Sequence, residues 1–324
     1  MFSQISVKSY QRAFRRPLRT ARGKWAIREG FLLRVEQGGR IGYSEVAPIP
    51  EFGTETMDEA AAFLQELVSQ TDLEVPPALP CCAFALSAAL QQQTALVREY
   101  VVSALLPAGE AGLRRAVDQI GAGYRSIKWK IGVEPLAVEI SLARTLLESL
   151  SAGMSVRFDA NASLTSSELE QWLELLTCFR DQTDYIEQPL ACGEEAAMAQ
   201  YMQDSGLTIA LDESLNGAAG QRWLKPGAWA GPLVVKAPLL GDVVQLATKL
   251  APVAEQVVLS SVFETGIGLE NSLRLADSLP QFSRPIGFDT LNVFDDGLQP
   301  IETSPQIRAA DRQKYNPERI WNLI

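Results

Sequence analysis

The sequence contains no histidine among its 324 residues. Without an imidazole the chain cannot use a Ser-His-Asp or Cys-His mechanism, a histidine-based zinc site or histidine acid–base catalysis. Any proton transfer must then depend on Lys, Asp, Glu, Tyr or Cys. One missing residue type therefore narrows the candidate chemistry before any motif is considered.

Cysteine and long apolar runs are also scarce. Cys81 and Cys82 are adjacent, Cys178 and Cys192 lie in separate segments, and no zinc-type spacing appears. We therefore expect reduced thiols in a cytoplasmic protein. The first residues lack a basic segment followed by an apolar one, so we expect no export signal. No apolar run reaches the roughly 18 residues of a membrane span.

Positive charge is in the minority. The chain has 29 Lys and Arg against 39 Asp and Glu, a formal net charge of −10. This balance disfavours a nucleic-acid or anionic-membrane surface, although a local basic pocket is compatible with it. We expect a small-molecule partner, no nucleic acid and no membrane. The sequence leaves a monomer and a small homo-oligomer equally open.

The first 99 residues have the pattern of an α+β module. The stretches 31–36 and 40–46 read as strands joined by a turn, and 54–68 and 83–97 read as helices. Two loops stand out, at 18–24 and at 48–54, and by default both are plain surface loops. A hydrophobic fraction of 47% and this length predict one large domain beside the smaller one.

Strands and helices then alternate regularly from residue 100 to residue 300. This pattern predicts an α/β fold, a TIM-like (β/α)7β barrel, with the segment 301–324 packing back on the N-terminal module. A doubly wound open sheet is the alternative, and it would need a Gly-rich phosphate loop that the sequence lacks. The expected strands are 100–105, 125–131, 155–159, 185–188, 208–212, 233–236, 257–261 and 286–289.

The second of these strands carries two lysines on one face. Lys128 and Lys130 alternate with apolar residues, so they point away from the core face. An edge strand with its lysines in water is the plain alternative. However, five successive strands each end in a charged residue, and barrel enzymes place their chemistry at the carboxyl ends of strands. These residues are Lys130, Asp159, Glu187, Asp212 and Lys236.

Three carboxylates without histidine or cysteine form a hard-oxygen site, which favours Mg²⁺ or Mn²⁺ over zinc. A lysine is a useful base only if its pKa falls from about 10.4 toward 7–8. A second ammonium and a divalent cation nearby both lower it. The arrangement suits proton abstraction next to a carboxylate.

The Lys-x-Lys strand, the three acids and the sixth-strand lysine resemble the muconate-lactonising subgroup of the enolase superfamily over nearly the whole chain. The resemblance implies an N-terminal capping domain whose two loops close the site. It also implies a metal, Mg²⁺ or Mn²⁺, bound by Asp159, Glu187 and Asp212, with Lys130, Lys128 and Lys236 as the catalytic residues.

Several reactions share this type of site. The stretches 50–56 and 287–291 resemble the o-succinylbenzoate synthase family. The Asp-x-Asp motif of dipeptide epimerases is absent around Asp289. The implied chemistry is a lyase reaction, the dehydration of 2-succinyl-6-hydroxy-2,4-cyclohexadiene-1-carboxylate to o-succinylbenzoate in menaquinone or phylloquinone biosynthesis. A dipeptide epimerase or an N-acylamino acid racemase of the same superfamily is the alternative.

The resemblance also implies roles for single residues. Lys130 takes the proton α to the ring carboxylate and returns it to the departing hydroxyl, Lys128 lowers the pKa of Lys130, and Lys236 stabilises negative charge. The dicarboxylate substrate is expected to contact Ser260, Ser261 and the backbone N–H groups of the turn at 266–268. Arg157 either adds positive potential or forms an ordinary ion pair. The remaining expected substrate contacts are Thr20, Gly23, Asn161 and Gly287.

Two other classes of protein are alternative interpretations of these residues. A class I aldolase-like barrel would use Lys130 or Lys236 as a Schiff-base lysine, but it leaves the three carboxylates unexplained. A non-catalytic, metal-dependent acid binder leaves the paired lysines unexplained.

Overall fold

The N-terminal part of the chain is a three-stranded antiparallel sheet packed against two helices. The computed structural model describes residues 4–20, 23–70, 73–91 and 97–324, and the side chains of residues 18–20, 23 and 24 are outside this description. The sheet has the order β1-β2-β3. The elements are β1 (Gln4–Thr20), β2 (Gly23–Gln37), β3 (Arg40–Val46), α1 (Met57–Ser69) and α2 (Pro80–Leu90).

Local sequence signals explain several of these boundaries. Gly38 and Gly39 both have positive φ, which suits the predicted turn between β2 and β3. Helix α1 begins at Thr56, whose side chain forms a capping box with Glu59. The strand β1 was not predicted. Its alternation is interrupted by arginines, and its register shifts along the pairing with β2.

The second predicted helix was too long. It ends at Leu90, and Gln91 is extended, so the expectation of a helix to residue 97 was wrong where the structure describes the chain. The end of α2 lies against β3, where a Cβ at Gly42 would stand 1.8 Å from the Ala89 carbonyl oxygen. This close approach needs glycine on the strand and a helix that stops there.

The second part of the chain alternates strands and helices. The strands from β5 to β11 pair in parallel, and each of them is followed by a helix. The elements are β4 (Tyr100–Val101), β5 (Ser103–Leu106), α3 (Gly109–Gly121), β6 (Ser126–Lys130), α4 (Leu136–Ser149), β7 (Ser155–Asp159), α5 (Ser166–Thr177), β8 (Thr183–Glu187), α6 (Glu195–Ser205), β9 (Ile209–Ala210), α7 (Gly217–Gly220), β10 (Leu233–Val235), α8 (Val243–Leu250), β11 (Val257–Leu259) and α9 (Gly266–Ser278).

These strands close into a barrel. The sheet β5-β6-β7-β8-β9 continues through the parallel bridge Leu211–Leu233 to β10 and β11. The bridges Ser260–Gly287 and Val102–Ile286 then join an eighth, very short strand to the first. The predicted (β/α)7β barrel with an N-terminal α+β cap is therefore confirmed. Strand β6 lies between β5 and β7, which excludes the edge-strand alternative for the two lysines.

The main hydrophobic core lies between the barrel wall and its helices. Trp129 and Phe158 point outward from β6 and β7 and pack with Trp172 of α5. Burial of their outward faces turns the alternate residues of each strand, including the charged ones, into the barrel. None of the helices in the described ranges is both long and apolar enough to cross a membrane.

The C-terminal segment contacts both parts of the molecule. Within it are β12 (Gln306–Ile307), α10 (Ala309–Gln313) and α11 (Pro317–Trp321), and β12 pairs with β4. Trp321 packs beside Tyr43, and Lys8 Nζ donates to the Trp321 carbonyl at 2.9 Å. The last residues thus bind the N-terminal sheet through side chains from β1 and β3.

Candidate active site

Three of the predicted residues lie in one row at the mouth of the barrel. Lys130 on β6 is the register partner of Asp159 on β7, and Asp159 is the register partner of Glu187 on β8. Glu187 pairs with Ala210, so Asp212 follows two residues further along the neighbouring strand. Parallel strands bring these carboxyl ends to the same mouth, as the sequence predicted.

The lysines contact the acids directly. Lys128 Nζ lies 2.6 Å from Glu187 Oε1 and 3.0 Å from Asp159 Oδ2. Lys236, which follows β10, forms an ion pair with Asp212. The Lys236 ammonium also lies 5.0 Å from the centre of the Phe52 ring. Phe52 belongs to the second predicted capping loop, so this loop lies over the barrel mouth.

The carboxylates have the donor chemistry of a hard-cation site. In the part of the chain that the structure describes, no three acidic, histidine or cysteine side chains are spaced to hold a metal ion. The ammonium groups of Lys128 and Lys236 instead hold the carboxylates. Glu187 Oε2, however, is buried without a hydrogen-bond partner. An orphaned carboxylate oxygen of this kind fits a cation ligand, because a buried polar atom without a partner is costly.

Burial and charge set the protonation of this cluster. Burial raises the pKa of Glu187 to about 8; the like charge of Asp159 adds to this and Lys128 opposes it. Burial also acts to raise the pKa of Asp159, but Lys128 and Lys130 outweigh it and hold the pKa below its ordinary value. Burial acts to lower the pKa of Lys128, and Asp159 and Glu187 raise it well above the ordinary value. Lys128 is therefore a permanent cation in this arrangement.

Asn161 orients Lys130. The Lys130 ammonium donates to Asn161 Oδ1, and Asn161 Nδ2 donates to Glu213 Oε1 at 3.1 Å. Asn161, expected as a substrate contact, is in this structure a partner of the lysine. Glu213 had not been assigned a role, although two consecutive acids after the fifth strand were visible in the sequence. Burial raises the pKa of Glu213 to about 7, and the charge of Asp212 adds to the effect.

A further residue that the sequence reasoning missed is Gln188. Its Oε1 accepts from the backbone N–H groups of Asp212 and Ser214, each at 3.1 Å. Its Nε2 donates to Ser214 Oγ at 2.9 Å, and Ser214 donates to Glu195 at 2.7 Å. Gln188 thereby ties the end of β8 to the loop that carries Asp212. Only the position directly after Glu187 could have indicated this role.

The predicted serines lie together with the eighth strand. Ser260 is half-buried, and a Cβ at Gly287 would stand 3.2 Å from Ser260 Oγ. Ser261 Oγ donates to Glu264 Oε2 at 2.7 Å and accepts from Thr290 at 2.8 Å. Ser261 is thus part of an internal network, whereas Ser260 and Gly287 face each other without a larger side chain between them.

Arg157 occupies the opposite end of the barrel lumen. Its guanidinium bonds Asp184 and the Pro285 carbonyl, both at 2.8 Å, and stacks at 5.0 Å from the centre of the Tyr185 ring. These partners stand at the beginnings of their strands. The ion-pair alternative therefore describes Arg157 better than a substrate contact does.

The predicted first capping loop is the tip of the β1–β2 hairpin. Thr20 pairs with Gly23 in the strand register, and Leu18 pairs with Trp25. Residues 21 and 22 and the side chain of Thr20 lie outside the described part of the chain, so the predicted contacts there stay predictions.

One expectation was wrong. The backbone N–H groups of the turn at 266–268 were expected to bind a substrate carboxylate. Instead, Gly268 donates to Glu45 Oε2 at 3.1 Å, Ile267 donates to Thr265 Oγ1 at 3.2 Å and Gly266 donates to the Leu298 carbonyl at 2.8 Å. A carboxylate of the chain itself already occupies the N-terminus of α9.

Comparison with known proteins agrees with this geometry. The family model "Enolase C-terminal domain-like" matches residues 112–304, and the model "MenC, N-terminal domain" matches residues 5–93. The L-Ala-D/L-Glu epimerase from Bacillus subtilis superposes with a TM-score of 0.79 at 16% identity, over 95% of this chain and 96% of that one, which shows the fold alone. The class is therefore that of the enolase-type barrel enzymes with an N-terminal cap.

Closer relatives identify the family within this class. An o-succinylbenzoate synthase from Thermosynechococcus vestitus is 35% identical over 80% of this chain and 84% of its own length. One from Yersinia enterocolitica is 32% identical over 86% and 90%. The crystal structure of the synthase from Thermosynechococcus elongatus, complexed with Mg in the active site, superposes with a TM-score of 0.83 at 29% identity, covering 99% of this chain and all of that one. The chain belongs to the o-succinylbenzoate synthase family.

Proposed function

We propose that this lyase dehydrates 2-succinyl-6-hydroxy-2,4-cyclohexadiene-1-carboxylate to o-succinylbenzoate, a step of menaquinone or phylloquinone biosynthesis. The main observation that supports this proposal is the row formed by Lys130, Asp159 and Glu187. It places a lysine beside two carboxylates at the barrel mouth, where a substrate carboxylate and its α-proton can both be reached. The names of the family members support the same reaction.

Lys130 serves both proton transfers. Its neutral amine removes the proton α to the ring carboxylate, and the resulting ammonium returns that proton to the departing hydroxyl, which leaves as water. The C–O bond breaks as the ring double bond forms, so the product ring becomes aromatic and the reaction is balanced without a redox partner. Asn161 holds the Lys130 side chain in place through its amide oxygen.

The other two lysines supply fixed positive charge. Lys128 is held between Asp159 and Glu187, and its raised pKa keeps it cationic. Lys236 lies on the far side of the carboxylates, paired with Asp212. Both stabilise the negative charge that develops on the substrate after the α-proton leaves.

We infer that Asp159, Glu187 and Asp212 hold a divalent cation, Mg²⁺ or Mn²⁺. The unpaired Glu187 Oε2 and the all-oxygen donor set support this assignment. The bound cation supplies positive charge next to the substrate carboxylate.

The succinyl carboxylate is left with few candidate partners. Arg157 is engaged at the far end of the lumen, and the N-terminus of α9 is occupied by Glu45. Among the residues whose side chains the structure describes, Ser260, opposite Gly287, and the cap residues around Phe52 remain. We therefore propose Ser260 and Gly287 as the principal contacts of the succinyl chain on the barrel side.

The direct test is an assay with the cyclohexadiene substrate. Conversion to o-succinylbenzoate changes the ultraviolet absorbance, and the product is identified by mass spectrometry against an authentic standard. We expect turnover with purified protein and Mg²⁺. No product formation by folded, Mg²⁺-supplemented protein would overturn the proposed function.

The metal assignment predicts loss of activity in EDTA and its recovery with Mg²⁺ or Mn²⁺. Glu187→Gln should weaken metal affinity, measured by calorimetry, without changing the circular dichroism spectrum, because the replacement is isosteric. Glu148→Gln, an exposed change on α4, is the matched control. Full activity in metal-free protein would contradict the assignment.

We also infer from the pattern of contacts that the chain divides into a capping domain at 1–99, a barrel at 100–300 and a C-terminal segment at 301–324. Two buried clusters support this division. One lies mainly within the N-terminal sheet and its helices, with Leu239 and Val262 added from the barrel, and the other lies around the barrel wall, with Phe84 and Ala88 added from α2. A cytoplasmic location and a monomer or small homo-oligomer stay predictions.

A further inference from the structure

Three charged side chains of the N-terminal sheet bind backbone groups of residues 262–265, just after the seventh barrel strand. Arg28 Nε donates to the Val262 carbonyl at 3.0 Å. Arg12 donates to the Glu264 carbonyl at 2.8 Å. Glu45 accepts from the Thr265 N–H at 2.9 Å. All three side chains are buried, with exposures of 1% for Arg12, 5% for Arg28 and 3% for Glu45.

Glu45 makes the densest of these contacts. Its Oε2 also accepts from the Gly268 N–H at 3.1 Å and from the Thr265 hydroxyl, and its Oε1 accepts from the Tyr10 hydroxyl. A Cβ at Gly268 would lie 2.7 Å from Glu45 Oε2, so glycine is what allows the carboxylate to approach the helix. A carboxylate at a helix N-terminus satisfies the free N–H groups and interacts favourably with the helix dipole.

The segment held in this way is strained and lies next to the proposed substrate contacts. Phe263 has a φ of +63°, a left-handed conformation that is strained for a residue other than glycine. Its ring packs at 5.4 Å from Phe14 and 6.2 Å from Trp25, both on the capping hairpin. Ser261 bonds the Phe263 N–H at 2.9 Å. The segment therefore connects the serines of the seventh strand to the hairpin that ends in the first capping loop.

We infer that Glu45 is a positioning residue for substrate binding. By occupying the N-terminus of α9, its carboxylate holds residues 262–265 in place, and with them Ser260 on one side and the capping hairpin on the other. The inference rests on the proposed function, because it assigns Glu45 a role in orienting the part of the site that receives the succinyl end. The lysines and acids of the chemical step stand on other strands and do not contact Glu45.

The test compares three variants in steady-state kinetics with the cyclohexadiene substrate. Glu45→Ala should raise KM by about tenfold or more, the effect of losing a charged hydrogen-bond acceptor, and change kcat by less than about threefold. Formate or acetate should lower the KM of this variant again, because a small carboxylate can enter the space next to the Thr265 and Gly268 N–H groups. Chloride at the same ionic strength should not.

Two matched variants separate positioning from general damage. Glu45→Gln fills the same space, so it should raise KM without any response to formate. If Glu45→Ala does not fold, the KM of this isosteric variant tests the role of the Glu45 carboxylate instead. Glu59→Ala removes a glutamate that caps α1 within the cap itself. Glu59→Ala should have the KM of the wild type, and formate should not change the KM of this variant.

A thermal melt provides a readout that does not depend on activity. The Tm of Glu45→Ala should rise with formate, and that of the wild type should not. If the wild type does not convert the cyclohexadiene, the proposed function fails while the melt still tests the carboxylate contact. A folded Glu45→Ala with wild-type KM, or one whose KM and Tm ignore formate, would overturn the inference.

Discussion

Ionisable groups at the barrel mouth are arranged so that their charges depend on one another. Glu187 is fully buried, and its pKa of about 8 reflects burial first and the charge of Asp159 second. Lys128 compensates by contacting both carboxylates. Lys130, the register partner of Asp159, donates its hydrogen bond to a neutral amide, that of Asn161. The two lysines of one strand therefore have different surroundings, which is the physical basis for giving them different roles.

The residue-scale prediction concerns Lys130. Lys130→Ala should lower kcat by more than the roughly 10²–10⁴-fold typical of acid–base groups, because one amine serves two proton transfers. Lys130→Arg should lower kcat by almost as much, since a guanidinium stays protonated. Steady-state kinetics measure both, with Lys249→Ala on the outside of α8 as the control. Near-normal turnover in Lys130→Ala beside an inactive Lys128→Ala would reverse the two roles.

The loop between β11 and α9 shows how one element can be held by another part of the chain. Its carbonyls and N–H groups are bound by Arg28, Arg12 and Glu45 from the cap. Inside the loop, Glu264 Oε2 accepts from Ser261 Oγ and from the Val262 N–H, while Oε1 is buried without a partner. Burial raises the pKa of Glu264 to about 7.

The element-scale prediction follows from that pKa. In the unfolded chain the Glu264 carboxyl titrates near its ordinary value of 4.5, so between pH 4.5 and about 7 the folded protein binds more protons than the unfolded one. Stability must then fall as the pH rises through this window, and the loss is complete above it. Relative to Glu264→Gln, which cannot ionise, the free energy of unfolding of the wild type should fall by about 3 kcal/mol across this pH window. Urea unfolding at pH 5 and pH 8 measures the difference.

An exposed glutamate provides the control for this comparison. Glu148→Gln on α4 should leave the dependence of stability on pH unchanged relative to the wild type. Parallel pH curves for the wild type and Glu264→Gln would show that Glu264 ionises at its ordinary pKa in the folded protein.

At the scale of the whole molecule, the cap and the barrel form a mouth suited to an anionic substrate. The eighth strand carries Asp289, yet both of its oxygens are engaged: Oδ2 accepts from the Leu105 N–H at 2.8 Å and Oδ1 from the Tyr124 hydroxyl at 3.0 Å. The carboxylate therefore binds the barrel wall and, through Gln119 Nε2 at 3.3 Å, helix α3. It is not free to hold the amino group of a dipeptide, and a buried ammonium without a partner is costly.

This arrangement predicts the specificity of the enzyme. Dipeptides such as L-Ala-L-Glu should show little or no deuterium exchange at the α-carbon in D₂O, measured by NMR, under conditions in which the cyclohexadiene is converted efficiently. The same protein sample assayed with the cyclohexadiene is the positive control. Rapid exchange in dipeptides without turnover of the cyclohexadiene would favour the epimerase alternative.

The sequence by itself determined the barrel and the residues at its strand ends. Periodicity identifies strands because alternate burial demands alternate apolar residues, and the ends of parallel strands necessarily meet at one mouth. That is why Lys130, Asp159 and Glu187 could be grouped without a structure. The turn before β3 and the cap of α1 are equally local, because each depends on residues within a few positions of one another.

Only the tertiary structure decided the contacts between distant segments. Glu45 and Gly268 are 223 residues apart, and nothing local shows that the carboxylate occupies the helix N-terminus first expected to bind substrate. Arg157 shares a strand face with Asp159, but its depth in the lumen pairs it with Asp184. Hydrogen-bond partners of buried polar groups are selected by packing and register across the chain. A linear pattern of residues specifies neither the packing nor the register between distant segments.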